Sequence, residues 1–470
     1  MTGTPQHAAG TLWSAPYRML TIGLVLTITL VAFEALAVAT IMPLVALDLH
    51  DRELYGWVFT GALLGSLIGI VVVGGLVDRV GLVKPFLVGL SLFSIGLVVG
   101  GLAPSMEVLI AGRVLQGLGG GGIAPIAYVA IGRALPEELR SRMFATLSTA
   151  WVVPGIIGPA ISGLVAEHVG WRIVFLGLLP LIVIAVGMTL PSLARSRPAE
   201  GASARSGPDL RTRLPWALVV ALGTALIVGG LTDGRLIPGT PLVLAGLLIG
   251  LPAYRRLTPR GTLRVAPGLP AAVLLRGMLT FAFFSADAYV PLALQDWRGL
   301  DAATSGIALT AATLSWTAGS WIQARAYARL GARRFVTTGF VAVTAAIIGF
   351  ALVLSPDVPV IVGVGAWAVA GLGMGLSYSP LSLVTLSEAP SGGEGTATSS
   401  LQLSDVLGTA LGTGVGGAII AIAARGAAEG WVGLAGAFAV ATAVAVIGGL
   451  LARRLPGPGG TVADAAEVER

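Results

Sequence analysis

The sequence predicts an all-α polytopic membrane protein, built as two six-helix bundles with two additional helices between them, fourteen in total. Three observations carry that prediction. Of 470 residues, 55% are hydrophobic and only 11% are charged, with a mean hydropathy of +0.89. A water-soluble domain carries charge on about a quarter of its residues. Apolar runs long enough to cross a bilayer, about 20 residues each, recur along the chain in a six, two, six order. The second set of six also repeats features of the first.

The elements follow in chain order. After a tail over 1–16, a first bundle covers 17–193, with apolar runs at 17–47, 55–77, 85–103, 106–132, 142–166 and 171–193. The stretch 194–213, ARSRPAEGASARSGPDLRTR, is rich in Arg, Pro, Ser and Gly and reads as a solvated linker. Runs at 214–232 and 239–254 form the extra pair within 214–257, and a loop follows at 258–268. The second bundle covers 269–453, with runs at 269–294, 303–327, 335–354, 358–386, 397–424 and 431–452, before a tail at 454–470. Placing the N-terminus in the cytoplasm puts Lys84 and most Arg on that side, and leaves Arg52, Arg172, Arg235, Arg298 and Arg425 on the other. The expectation is a multi-pass protein of the cytoplasmic membrane, monomeric, with both termini inside. The net charge of +6 reflects that asymmetry and not a nucleic-acid surface. No cleavable signal peptide is evident.

Several functional classes find no support. The chain has no Cys, which excludes disulfides and thiolate metal sites. His7, His50 and His168 are scattered, so no metal site is expected. No Walker loop or nucleophile motif points to an enzyme, and no cofactor is expected beyond protons as a coupling ion.

Three internal alignments support a duplication. The loop 78-DRVGLVK-84 aligns with 328-ARLGARR-334, 116-QGLGGG-121 with 370-AGLGMG-375, and 158-GPAISG-163 with 412-GTGVGG-417. Two related six-helix units are a transporter architecture, with the substrate site expected between them near mid-membrane.

The segment 74-GGLVDRVGLVKPF-86 resembles the signature loop of the major facilitator superfamily. Gly74, Leu76, Asp78, Arg79 and Gly81 match, while Leu82 and Val83 replace its basic pair. The resemblance implies a latch of the inside-closed, outward-open state, with Arg140 or Arg142 as partner of Asp78; a plain solvated turn is the alternative. The segment 109-LIAGRVLQGLGGGG-122 resembles the superfamily's fourth-helix pattern R-x-x-Q-G and sets Arg113 inside an apolar span, near Gln116. That implies a part in proton transfer or in organising the site; the alternative is an Arg that ties helices together. The segment 151–172, with Pro154, Gly155, Gly158, Pro159 and Gly163 as its candidate residues, resembles the fifth-helix motif of the antiporter branch: Gly158, Pro159 and Gly163 match, and Pro154 and Ser162 replace two glycines. Its Pro bends a helix and its Gly admits a close neighbour, so the resemblance implies a helix that seals one half against the other. With the six, two, six order, the whole chain resembles the fourteen-helix drug:proton antiporters. Glu34 and Pro43 keep the nine-residue spacing of that group's first helix, but Leu36 and Ala39 stand where Thr and Asn are usual.

Five charges lie deep in apolar runs: Glu34, Arg113, Arg276, Asp287 and Asp405. An ionisable residue inside the membrane is costly and marks a functional site by default. Loss of water favours a neutral carboxyl group and a nearby guanidinium favours the charged one, a balance suited to loading and releasing protons. Glu34, Asp287, Arg113 and Asp405 are therefore the candidate proton-coupling residues, with structural ion pairs as the alternative. Arg276 and Asp287 share a helix face but stand about 16 Å apart along the axis. Gln116, Phe281, Phe284, Tyr289, Trp316, Trp367, Tyr378 and Gln402 are candidates for the substrate cavity, or else face lipid and neighbouring helices. The expected function is proton-coupled export of hydrophobic compounds, cationic ones among them. Export of an endogenous lipid or apolar metabolite is an alternative, and a non-transporting scaffold or receptor is a third.

Overall fold

The computed structural model describes residues 11–50, 54–195, 210–232, 236–300, 302–425 and 430–457. Arg52, Arg197, Arg205 and Arg235, most of the linker 194–213 and most of both tails lie outside the described residues. Among the described residues the ordered elements are helices, with no strand. Composition accounts for this: in an apolar medium every backbone polar group must be satisfied within its own segment.

The first half comprises α1 (Ala15–Asp48), α2 (Tyr55–Val80), α3 (Val83–Gly101), α4 (Met106–Gly120), α5 (Ile123–Ala134), α6 (Glu137–Thr149), α7 (Val152–Val165), α8 (Trp171–Leu176) and α9 (Leu178–Arg195). Then come α10 (Leu210–Thr232) and α11 (Leu236–Leu257). The second half holds α12 (Leu269–Asp287), α13 (Val290–Leu292), α14 (Ala302–Ala351), α15 (Val360–Ser387), α16 (Glu394–Arg425) and α17 (Gly430–Leu451). Among the described residues, eleven segments are long and apolar enough to cross a membrane. Two of them, Glu137–Arg195 with 59 residues and Ser305–Leu354 with 50, are more than twice the length of one crossing. The first breaks at Gly170 (φ 118°) and the second at Gly331 (φ 70°). The 22-residue α11 runs antiparallel to α10, since Gly223 meets Gly246 and Gly250 while Gly230 meets Gly239. The helix order is compatible with six, two and six passes.

Some apolar runs divide into shorter helices. The run at 106–132 breaks at Gly121–Gly122, between α4 and α5. The run at 269–294 breaks after Asp287, just ahead of Pro291. In the run at 142–166 the break falls at Ala150–Trp151. Pro154 then sits in the first turn of α7, where its missing N–H costs nothing.

The duplication extends to how the helices interlock. Gly81 (φ 77°) and Gly331 (φ 70°) make matching left-handed turns. Gly117 packs against Ala62 as Gly371 packs against Ala312. Gly119 packs against Gly89 and Phe93 as Gly373 packs against Gly339 and Val343. One interval along the chain, constant to within a turn, relates both members of every pair.

Hydrogen bonds between the halves gather toward the Asp78 side. α6 meets α14 through Ser141 Oγ to the Ala324 carbonyl (3.3 Å), Ser320 Oγ to Ser148 Oγ (3.2 Å) and Trp321 Nε1 to Thr149 Oγ1 (3.0 Å). α2 crosses α16 at Gly74, where an added Cβ would lie 2.7 Å from the Gly395 carbonyl oxygen. α10 and α11 pack beside that crossing, in an apolar cluster of Leu67, Ile70, Val71, Ala217, Val220, Ala253 and Leu403.

Gly74→Val is expected to force α2 and α16 apart, at a cost of about 1–3 kcal/mol for overpacking. Because the chain has no cysteine, a Ser141→Cys reporter between the halves can be labelled alone. Its labelling should quicken several-fold in the Gly74→Val background while the melting temperature falls. Unchanged labelling and melting would contradict the close crossing.

Candidate functional site

The deep charges sort into three centres. In the first, Glu34 on α1 (5% exposed) forms a direct ion pair with Arg113 on α4 (6% exposed). Arg113 Nη1 also donates to Gln116 Oε1, one helical turn along. Arg113 Nε and Gln116 Nε2 have no hydrogen-bond partner in the protein. A buried charge without a counter-charge costs several kcal/mol, so the pair holds α1 and α4 together and leaves donors beside the carboxylate.

In the second centre, Asp287 at the end of α12 accepts a hydrogen bond from Trp367 Nε1 on α15 (2.9 Å). The interval from Glu34 to Asp287, and from Arg113 to Trp367, is close to the one that relates Gly117 to Gly371. Each half thus fastens a carboxylate of its first helix to a residue of its fourth, once by a guanidinium and once by an indole N–H.

The third centre joins the halves. Tyr378 on α15 donates to Asp405 Oδ2 on α16 (2.7 Å). The guanidinium of Arg276, which has no exposed surface, lies 3.4 Å from the Tyr378 ring centroid and donates to Ser382 Oγ. Tyr128, from α5 of the first half, lies beside Ser382 and Tyr378. Nothing in the sequence singles out Tyr128, because a lone Tyr in an apolar helix carries no spacing signal. Asp287 and Asp405 therefore stand apart from Glu34 and Arg113.

The aromatic candidates divide in the same way. Phe284, Trp316 and Tyr378 are half-exposed neighbours: Trp316 lies 6.4 Å from Phe284 and 5.4 Å from Tyr378 between ring centroids. Their hub is Phe283, which sequence reasoning passed over and which meets Phe284 (5.1 Å), Trp316 (5.6 Å) and Trp367 (5.6 Å). Trp367 packs inside the second half. It is wholly buried, stacked on Phe283 with Phe350 at its edge, and its N–H is committed to Asp287. Tyr289 is likewise committed: its hydroxyl donates to the Thr413 carbonyl (2.6 Å) and its ring rests against Gly416. Phe281 is half-buried with its backbone against Gly412, and Gln402 is buried on α16.

The signature loop holds the other half by its backbone. Asp78 Oδ1 accepts from the Gly395 N–H (2.7 Å), and Oδ2 from the N–H and Oγ1 of Thr396 (2.8 and 2.7 Å). These are the N–H groups left without partners at the start of α16. Arg133 Nη2 bonds Glu394 (2.9 Å) and stands 3.9 Å from Asp78. Neither Arg140 nor Arg142 is the partner. Arg140 folds back on its own loop, to the carbonyls of Leu135 (3.1 Å) and Gly132 (2.7 Å), and Arg142 is exposed on α6. Arg79 is half-buried beside Asp78, and Gly81 makes the turn.

With this loop, the buried Arg–Gln turn and the duplicated helix packing in place, the family follows: the model of the Major Facilitator Superfamily matches residues 24–413. The chain belongs to the Major Facilitator Superfamily. A probable multidrug-efflux transporter of Mycobacterium tuberculosis is 29% identical over 455 residues, which is 91% of this chain and 94% of that protein. The multidrug transporter protein MdtP of Bacillus subtilis is 28% identical over 422 residues, 86% of this chain and 75% of its own. The crystal structure of a human organic anion transporter superposes with a TM-score of 0.69, over 93% of this chain and 99% of the other, at 15% identity. That likeness supports the fold. The chain is a multi-pass membrane transporter of this superfamily.

Within it, the fifth-helix motif packs unevenly. Gly155 faces Thr313 of α14 and Gly158 faces the Phe33 ring of α1, whereas nothing lies within 4 Å of a Cβ placed on Gly163. Pro159 sits inside α7. Along α6 and α7 the contact with α14 is therefore made by residues 141–155, and Gly163 makes no close helix contact among the described residues.

Trp367→Phe would keep the stack on Phe283 and remove only the N–H that reaches Asp287. Loss of a partner to a buried carboxylate costs about 1–3 kcal/mol. Denaturant titration of the purified protein should detect that loss, and an unchanged midpoint would show that the bond contributes nothing.

Proposed function

We propose that this superfamily member is a proton-coupled antiporter of the cytoplasmic membrane that exports hydrophobic, drug-like compounds, cationic ones included, by alternating access. The observation that carries the reading is the buried Glu34–Arg113 pair with its unmatched donors. The efflux relatives support drug-like cargo.

The charges suggest how coupling would run. Glu34 and Arg113 together are neutral, so a proton arriving on Glu34 leaves the guanidinium uncompensated in an apolar setting. Asp287 is held by a neutral donor, so a proton there removes a buried negative charge. Either event changes the energy of one arrangement of the halves relative to the other, which is the differential that any ligand needs to shift a conformational equilibrium. With the Arg-rich Asp78 side as the cytoplasmic face, the latched arrangement is closed to the cytoplasm. Protons entering from outside would favour release of cargo there, and their loss to the cytoplasm would restore its binding. The half-exposed Phe284 and Trp316 offer apolar and cation-attracting ring faces for such cargo.

Export of an endogenous lipid or apolar metabolite is a second reading. Leu36 and Ala39 favour it, since they leave the first helix without the polar groups usual in drug:proton antiporters.

In proteoliposomes, Glu34→Gln is expected to abolish uptake of a fluorescent cationic dye driven by a pH gradient, and Asp287→Asn to impair it. Each variant should keep its size-exclusion profile. Wild-type flux in a well-folded Glu34→Gln protein would sink the coupling mechanism. Flux of labelled lipid but not dye in the wild type would favour the second reading.

A further inference from the structure

The extra helices carry a cluster of cations that the transport reading leaves unused. On the Asp78 side, a cavity of about 680 Å³ opens between the ends of α10 and α11 and the turn before α16. Arg213 and Arg256 stand in its wall with Trp216. Arg213 is only 6% exposed; its Nη1 donates to Thr396 Oγ1 (2.9 Å) and its Nη2 reaches the Leu257 carbonyl (3.5 Å). Arg256 is exposed and lies over the Trp216 ring at 4.2 Å. Stacking through its flat face leaves a guanidinium's in-plane N–H fork to meet an oxyanion. Glu394 is engaged with Arg133, while Asp78 bonds Gly395 and Thr396 and sets a negative charge behind Arg213. Arg255 and Arg260, next in sequence to the lining residues Arg256 and Pro259, add exposed positive charge nearby.

The surface next to this cavity is apolar. Leu214, Leu218 and Leu222 on α10 are 38, 50 and 55% exposed. Spaced one turn apart, they form a single stripe that leads away from Arg213 along the helix. Trp216 marks the boundary between membrane and water, where indole rings concentrate. Cations at that boundary with an apolar stripe below them fit a phosphate head and an acyl chain on one molecule. A soluble anion would use the cations and leave the stripe without a role.

We propose that this cavity binds the headgroup phosphate of an anionic phospholipid, with an acyl chain laid along α10. Basic pockets between membrane helices are suited to such headgroups. The site connects to the latch, because Arg213 bonds Thr396 and Thr396 bonds Asp78. An occupant that holds Arg213 in place steadies the closed face.

The test uses the purified full chain in detergent, with added dioleoylphosphatidylglycerol, dioleoylphosphatidylcholine or inorganic phosphate. Melting temperature and native mass spectrometry are the readouts. Phosphatidylglycerol is expected to raise the melting temperature saturably and to stay bound one to one, while phosphatidylcholine does neither. Arg256→Gln should weaken the phosphatidylglycerol effect roughly five- to tenfold, as expected for loss of one cation at a lipid headgroup, and Arg256→Lys should retain most of it. Arg172→Gln is the control: Arg172 stacks on Trp171 at the same 4.2 Å but pairs with Asp48, so the lipid effect should persist. Reading the difference between the two lipids within each variant cancels any change in basal stability. Equal effects of the two lipids, or an unaltered response in Arg256→Gln, would overturn the proposal. An equal shift from inorganic phosphate would overturn the lipid assignment in favour of a soluble anion.

Discussion

The Asp78 carboxylate caps a helix that belongs to the other half of the molecule. Its oxygens take the Gly395 and Thr396 N–H groups and the Thr396 hydroxyl, at the turn where a helix gathers partial positive charge. A residue that caps its own helix is always in place. One that caps a helix across a domain boundary works only while the two domains touch. Gly74 allows that approach, Arg133 and Glu394 bridge it, and Arg213 braces Thr396 from the flank. Hydrogen bonds to a charged group contribute about 1.5–3 kcal/mol each. A few of them hold one arrangement firmly, yet a ligand or proton that binds the two arrangements unequally can still undo them.

The three charge centres show why an internal repeat need not repeat its chemistry. Glu34 and Asp287 hold comparable places in the two halves, as do Arg113 and Trp367. The first pair balances charge against charge, and the second balances a carboxylate against a neutral N–H. Protonation therefore acts in opposite senses: it exposes a cation in the first half and cancels an anion in the second. Duplication supplied the scaffold, and divergence at one residue of the fourth helix made its two copies electrostatically distinct. Arg276 belongs to neither pair. Its full burial against Tyr378 and Ser382, with Tyr128 reaching in from α5, makes the third centre part of the joint between halves.

Much of the architecture was legible because it rests on local rules. Apolar runs mark the helices, and the glycines at 81 and 331 mark turns whose φ values agree to within a few degrees. Glu34, Arg113, Asp287 and Asp405 were legible as deep charges, since nothing else in an apolar run is so costly. Their partners were not. The Glu34–Arg113 contact spans 79 positions, and no periodicity encodes it. The repeat interval does connect Arg113 with Trp367, but the two residue types differ, so the equivalence shows only once both bonds are seen. The latch partner was hidden for another reason. A backbone N–H carries no signature in the sequence, and attention went to the arginines at 140 and 142 instead.

The central helix pair contacts the two halves in different ways. α10 and α11 meet α16 through hydrogen bonds: Tyr254 with Ser404 (2.7 Å), Ser400 with the Leu257 carbonyl (3.0 Å) and Arg213 with Thr396 (2.9 Å). They meet α2 through the apolar side chains of Leu67, Ile70 and Val71. Hydrogen bonds are directional and fix a register, whereas apolar contacts are non-directional and tolerate sliding. The pair thus has directional bonds to the second half and a broad apolar contact with the first. Under the proposed alternating access, α10 and α11 would travel with α16, carrying the Arg213–Thr396 brace with them. Release would then fall on the bonds that Asp78 makes from the first half, and on the Arg133 bridge beside them.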